Sequence, residues 1–243
     1  MRIERSPLRT PEAVCALAER IASTPGLRFH GLLGYEAHIA GLPDASQFSS
    51  WMNPIKRAIK RASRGPVERT RRACVDALHA RGLTPTIVNG AGTGSLAWAE
   101  SETALTEVTA GSGFLASHLF SAYRDLALVP AAFFALEVTR APAPGIYTLH
   151  GGGYVASGET GPDRLPVPYL PAGLRLLPME GAGEVQTPVA AKPGALTLGA
   201  PVFFRHAKAG ELAEHFNEYL LVRGDRVVER APTYRGLGHA FLG

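Results

Sequence analysis

The sequence predicts an α/β fold built on parallel strands and followed by a separate β domain. Three observations carry that reading. Strand-like and helix-like text alternates over residues 1–128 with short connections, the pattern of a parallel sheet or a barrel. Each strand there ends in glycine, hydroxyl or polar residues: Arg5-Ser6, Gly34-Tyr35-Glu36-Ala37-His38, the turn over 90–95, and Gly111-Ser112-Gly113. Residues 129–243 hold 16 of the 27 glycines and 12 of the 19 prolines and show no long helical period. The boundary between a domain over 1–128 and one over 129–243 falls near Leu128-Val129-Pro130.

The elements follow in order. Residues 2–6 read as a short strand. Thr10-Pro11-Glu12 opens a helix: the threonine can cap, proline suits the first turn, and the acid complements the dipole. Val14, Leu17, Ala18 and Ile21 then form an amphipathic stripe that Pro25-Gly26 ends. Residues 27–35 read as a buried strand. A long helical region over 53–80 is expected to break at Gly65-Pro66 and to stop at Gly82. A strand over 84–88, a glycine-rich turn, a short helix over 96–100 and a strand over 106–110 complete this half. In the second half, strands are expected over 133–140, 146–150, 174–179 and 200–205. A hairpin over 219–229 turns through Arg223-Gly224-Asp225-Arg226.

Composition bounds the rest. The 243 residues suffice to bury a core, and 46% apolar with 19% charged residues is globular and not disordered. No run of 18 apolar residues exists, so no membrane-spanning helix is expected. The start, Met1-Arg2-Ile3-Glu4-Arg5, lacks the apolar stretch of a secretory signal. Cys15 and Cys74 lie in helix-like text without disulfide or metal spacing, which fits a reducing cytoplasm. Between Lys56 and Arg72 stand eight basic residues and one acid, Glu68. This segment reads either as a patch for an anionic partner or as a solvated helix face. Without interleaved aromatics or a DNA-binding motif, the second is favoured and no nucleic-acid partner is expected.

The turn Gly90-Ala91-Gly92-Thr93-Gly94-Ser95, between a strand and a helix, lets backbone N–H groups approach an anion, and its hydroxyls can donate as well. A dinucleotide fingerprint fits it only loosely, because Glu107 opens the next strand where an acid should end it. A Walker loop would need a lysine that is missing. A cup for one phosphate monoester, shared with Gly111-Ser112-Gly113, fits best; a tight turn without ligand is the bland alternative.

Leu32-Leu33-Gly34-Tyr35-Glu36-Ala37-His38, Gly92-Thr93-Gly94 and Ala110-Gly111-Ser112, with a late His206 in a β domain, occur in an order and spacing that resembles a known group. It is the D-threonine aldolase and D-serine dehydratase group of pyridoxal-phosphate enzymes. More narrowly, the chain is similar to the bacterial proteins called amino acid deaminase/aldolase. The resemblance implies an alanine-racemase-type (β/α)8 barrel followed by a β domain, usually in a homodimer, with an amino acid as substrate. Within it, Gly92, Thr93, Gly94, Gly111 and Ser112 would hold the cofactor phosphate. Tyr35 would lie beside the pyridine ring, and Arg5 would face the phenolic oxygen.

Two departures from that group matter. A (β/α)8 barrel takes about 250 residues, and only about half that number precedes the β domain. The chain is therefore expected to hold the C-terminal half of the barrel and to lack the strand that carries the Schiff-base lysine. Its four lysines, Lys56, Lys60, Lys192 and Lys208, stand at no barrel strand end. The resemblance also implies a divalent metal held by His206 and by a cysteine or aspartate two residues on. Lys208 stands there and cannot ligate as an ammonium, although Glu211, Glu214, His215 and Glu218 offer other ligands. His206 and Lys208 are the expected catalytic residues, the ammonium taking over part of the metal's role at a leaving hydroxyl. The expected activity is a lyase reaction on a β-hydroxy D-amino acid, by retro-aldol cleavage or by dehydration. Non-catalytic phosphate binding or pairing by a half-barrel, and a nicotinamide-dependent oxidoreductase, are the alternatives.

Overall fold

The computed structural model describes residues 6–158 and 161–241. The chain divides into two compact units, Met1–Phe114 with Phe120–Ala127, and Leu115–Leu119 with Leu128–Gly243.

In the first unit, α1 (Pro11–Ser23) starts where the Thr10 hydroxyl accepts the Ala13 amide at 3.3 Å. Its apolar stripe buries Cys15 and Ala18 against Leu78, with Phe29, Leu32 and Leu83 packed around them. Three parallel strands follow: β1 (Gly31–Gly34), β2 (Ile87–Gly90) and β3 (Glu107–Val108), in that spatial order. The alternation of strand and helix thus does produce a parallel sheet. The register sets Gly34 beside Gly90, so the ends of β1 and β2 are level. Strand β1 is shorter than the stretch 27–35, and Leu33 within it is 78% exposed, which corrects the reading of a fully buried strand. The short helices α2 (Ala37–Ala40) and, beyond the glycine turn, α4 (Leu96–Ala99) sit just past those strand ends.

Between β1 and β2 runs α3 (Asn53–His79), about 40 Å long at 1.5 Å per residue. It does not break at Gly65-Pro66. Pro66 lies inside it with its ring exposed, and the Thr70 hydroxyl donates to the Pro66 carbonyl at 3.0 Å. The basic segment is not simply a solvated face either. Lys60 and Arg71 are buried. Lys60 pairs with Asp44 at 3.4 Å, and its ammonium lies 5.0 Å from the Tyr123 ring centre. The lone acid, Glu68, accepts the indole N–H of the buried Trp98 at 2.8 Å.

The second unit is an antiparallel sheet of six strands. They are β4 (Phe134–Ala143), β5 (Ile146–His150), β6 (Val167–Leu170), β7 (Arg175–Leu176), β8 (Gln186–Ala190) and β9 (Pro201–Arg205), ordered β6-β9-β4-β5-β8-β7. The sheet curls until its edge strands β6 and β7 lie near each other. Its core is built by alternation: Phe134, Leu136 and Val138 of β4 point inward with Leu149, Val189, Val202 and Phe204, and Leu212 of α5 (Gly210–His215) closes it. A separate hairpin, β10 (Glu218–Arg223) and β11 (Arg226–Pro232), turns at the expected Gly224-Asp225. No helix among the described residues is long and apolar enough to cross a membrane.

Candidate functional site

In the first unit the chain ends its strands β1 and β2 level with each other, and both lead into turns that meet. The turn after β2 places Thr93 so that its hydroxyl donates to the Ala110 carbonyl and accepts the Gly113 amide at 3.0 Å. Thr93 and the turn that carries Gly111 and Ser112 are therefore neighbours. Gly111 has φ +45°, a left-handed conformation that glycine adopts at little cost, and a side chain there would meet nothing within 4 Å.

The hydrogen-bond inventory of these two turns is uneven. The Ala91 amide donates to Glu36 Oε2 at 3.2 Å and the Gly92 amide to Ser95 Oγ at 3.1 Å. The amides of Thr93, Gly94, Gly111 and Ser112 find no acceptor among the described residues. Thr93 and Gly94 are buried, where an N–H group is almost always satisfied, whereas Gly111 is exposed and Ser112 half-buried; together these donors on neighbouring turns suit an anion with several oxygens. The hydroxyls do less than the sequence suggests: the protons of Thr93 and Ser95 go to Ala110 and to Glu36.

Close packing holds this cradle. A Cβ on Gly92 would lie 2.7 Å from the Tyr35 ring, so the half-exposed tyrosine leans on the turn. A Cβ on Gly94 would overlap the Ala40 carbonyl and the Tyr123 ring, and the Tyr123 hydroxyl in turn donates to Ala40 at 2.8 Å. His38 lies on α2, half-buried.

Behind the cradle is a buried charge cluster that reading along the sequence misses. Glu36 accepts the Ser95 hydroxyl at 2.5 Å through one oxygen, and the Ala91 amide and Arg71 (2.8 Å) through the other. Arg71 also donates to the Gly34 carbonyl at 2.6 Å and to the carboxylate of Glu102. All three charged residues are buried. Residues 36, 71 and 102 are too far apart in sequence to form a local motif. The only available signal is the Glu36 that follows Gly34-Tyr35.

Arg5 lies outside the described residues. Lys208 and His206 belong to the second unit. The Lys208 ammonium donates to the Ser157 carbonyl at 2.6 Å, and its amide donates to Glu211 at 2.8 Å. His206 is completely covered. Burial first, then the like charge of nearby His118, pushes its pKa down to about 4, so the ring is neutral. Burial also lowers the pKa of His118, whose Nε2 lies 2.8 Å from the Leu165 carbonyl. The ligand set expected around His206 does not assemble. Glu211 is buried and its pKa is raised by that burial, His215 packs on the Tyr154 ring, and Glu218 pairs with Arg230. Among the described residues no group of three or more His, Cys, Asp or Glu side chains could hold a metal ion.

A parallel strand–helix unit followed by a curled antiparallel sheet is the arrangement this chain shares with solved structures of the alanine-racemase type of fold. The chain is similar to D-threonine aldolase from Filomicrobium marinum, with a TM-score of 0.76 and 21% identity over 96% of this chain and 60% of that one. It is also similar to D-threo-3-hydroxyaspartate dehydratase from Delftia sp. HT23 (0.63, 20%, 92% and 60%). Alanine racemase from Bacillus anthracis matches more loosely (0.52, 14%, 97% and 66%). The chain thus spans about 60% of the length of the first two. No protein-family model and no curated protein sequence matches it.

Proposed function

We propose that the chain binds pyridoxal phosphate and serves a lyase reaction on a β-hydroxy D-amino acid, by retro-aldol cleavage or by dehydration. The observation that carries the reading is the set of four unpaired amides, at Thr93, Gly94, Gly111 and Ser112, on two touching turns beside the Tyr35 ring. The likeness in fold to an aldolase and a dehydratase of D-hydroxy amino acids supports it. The bound cofactor would supply an electron sink for the pair left by the broken Cα bond. The amides would hold its phosphate without placing a cation there, and Tyr35 would bound the ring. Lys208, with the neutral His206 supporting its segment from the core of the second unit, is the residue we propose for the β-hydroxyl, its positive charge acting on that group as it leaves in a dehydration. We place the protein in the cytoplasm as a pair of identical chains.

A second reading, binding without catalysis, draws on the lysines. Of the four lysines, Lys56 donates to Ser49 Oγ at 2.6 Å, Lys60 is held by Asp44, Lys208 is held by Ser157, and Lys192 lies exposed in the second unit. One experiment separates the two: purified chain with pyridoxal phosphate is given D-threonine or D-serine. Glycine and acetaldehyde from D-threonine mean an aldolase, and an α-keto acid with ammonia means a dehydratase. If the chain binds the cofactor and forms neither product, the second reading holds.

A further inference from the structure

We infer that Glu36 and Arg71 are positioning residues of the anion cradle, a buried pair that fixes the turn after β2 with two of its amides left free for a phosphate. The inference rests on the cofactor reading above and adds the residues that set its geometry.

Four consecutive amides are at stake, those of Ala91, Gly92, Thr93 and Gly94. Glu36 satisfies the first directly at 3.2 Å. It settles the second through Ser95, whose hydroxyl gives its proton to Glu36 and is thereby oriented to accept the Gly92 amide at 3.1 Å. The third and fourth amides are left over. The carboxylate thus decides which donors turn inward and which stay available.

Arg71 holds the carboxylate in place. One guanidinium nitrogen meets Glu36 and the Gly34 carbonyl, and the other meets Glu102, so the cation bridges α3 to the end of β1 and to the segment after α4. The glycines there answer to it. A Cβ at Gly90 would lie 2.7 Å from the guanidinium and one at Gly34 would lie 3.2 Å from its Nε, and these two glycines are partners in the sheet register. The pair Gly34 and Gly90 therefore makes room for the arginine.

The test compares pyridoxine 5′-phosphate with pyridoxine, which differ only by the phosphate and carry no aldehyde to react with lysines. Calorimetric titrations of both, and of inorganic phosphate, are run on the wild-type chain, Ser95→Ala, Glu36→Gln and the double variant. Losing a hydrogen bond to a charged group in this relay should weaken both phosphates about tenfold or more, with pyridoxine changed less than about twofold. The double variant should fall with the single ones, because both act through one relay. Equal losses for pyridoxine and its phosphate, or no loss, in variants with wild-type near-UV circular dichroism would overturn the positioning role. Should Glu36→Gln fail to fold, Ser95→Ala decides alone. If the wild-type chain binds pyridoxine 5′-phosphate no better than pyridoxine, the cofactor reading itself fails and this inference with it.

Discussion

The buried imidazole of His206 ties the stability of the second unit to pH. Its pKa is about 4 in the folded chain against 6.5 for an ordinary histidine. Between those values the unfolded chain takes up a proton that the folded one refuses. Stability is therefore full above about pH 6.5, falls as the pH drops toward 4, and loses no more from this group below that, about 3 kcal/mol in all. His118, shifted in the same direction, adds to the loss, whereas Glu211, with its pKa raised by burial, works against it. Urea unfolding at pH 7.5 and pH 5 should show the difference, and His206→Leu should flatten it. An unchanged pH dependence in that variant would show that the imidazole is not the group responsible. At this scale the sequence yields the residues that resemble a motif and little of what supports them. Gly92, Thr93 and Ser112 could be picked out because glycine and hydroxyls cluster locally. Arg71 is one of eight basic residues spread between Lys56 and Arg72, and only folding singles it out by placing it over two glycines.

At the scale of elements, α3 shows where local rules are overruled. Proline inside a helix removes a donor and crowds the preceding turn, which is why a break at Gly65-Pro66 was the natural expectation. The helix continues because residues on both sides of Pro66 are anchored: Lys60 to Asp44 before it, and Arg71 to Glu36 and Glu102 after it. Pro66→Ala would restore an amide to an exposed site where no packing is lost. Alanine is favoured over proline by about 3 kcal/mol in a helix interior, offset by up to about 1 kcal/mol from the looser unfolded chain. The variant should be stabilised by about 2 kcal/mol in chemical denaturation with phosphate binding unchanged; a loss of stability would mean that the proline itself is required by the fold. Prolines misled the strand reading in the same way. Strands β6 and β8 carry Pro168 and Pro188 and lie outside the expected strands, whereas β5 and the hairpin, with more β-branched text, lie nearly where the sequence places them. In β6 the proline sits on an edge strand, where a missing donor costs little. Pro188 lies within β8, opposite Thr148, yet its carbonyl still accepts the Leu177 amide.

At the scale of the whole molecule, the β10–β11 hairpin presents an exposed apolar ribbon. Leu220, Leu221, Val222, Val227 and Val228 are all exposed on a two-stranded ribbon, and such a ribbon is marginal in water unless something packs on it. Charges of both signs flank these apolar residues, Arg223, Arg226 and Arg230 against Glu218, Asp225 and Glu229. A patch that carries both signs beside apolar area can complement itself across a two-fold axis, so it is the surface on which the pairing proposed above would fall. Val222 and Val227 face each other across the ribbon, which makes them a pair that can be changed together. Val222→Lys with Val227→Glu replaces the apolar contact by a cross-strand ion pair that preserves the hairpin. Sedimentation equilibrium should find dimers of the wild-type chain and a dissociation constant raised at least about tenfold in the variant, since two buried valines per chain are lost from the contact. A wild-type chain that sediments as a monomer, or a variant that dimerises as tightly as before, would remove the hairpin as the pairing surface.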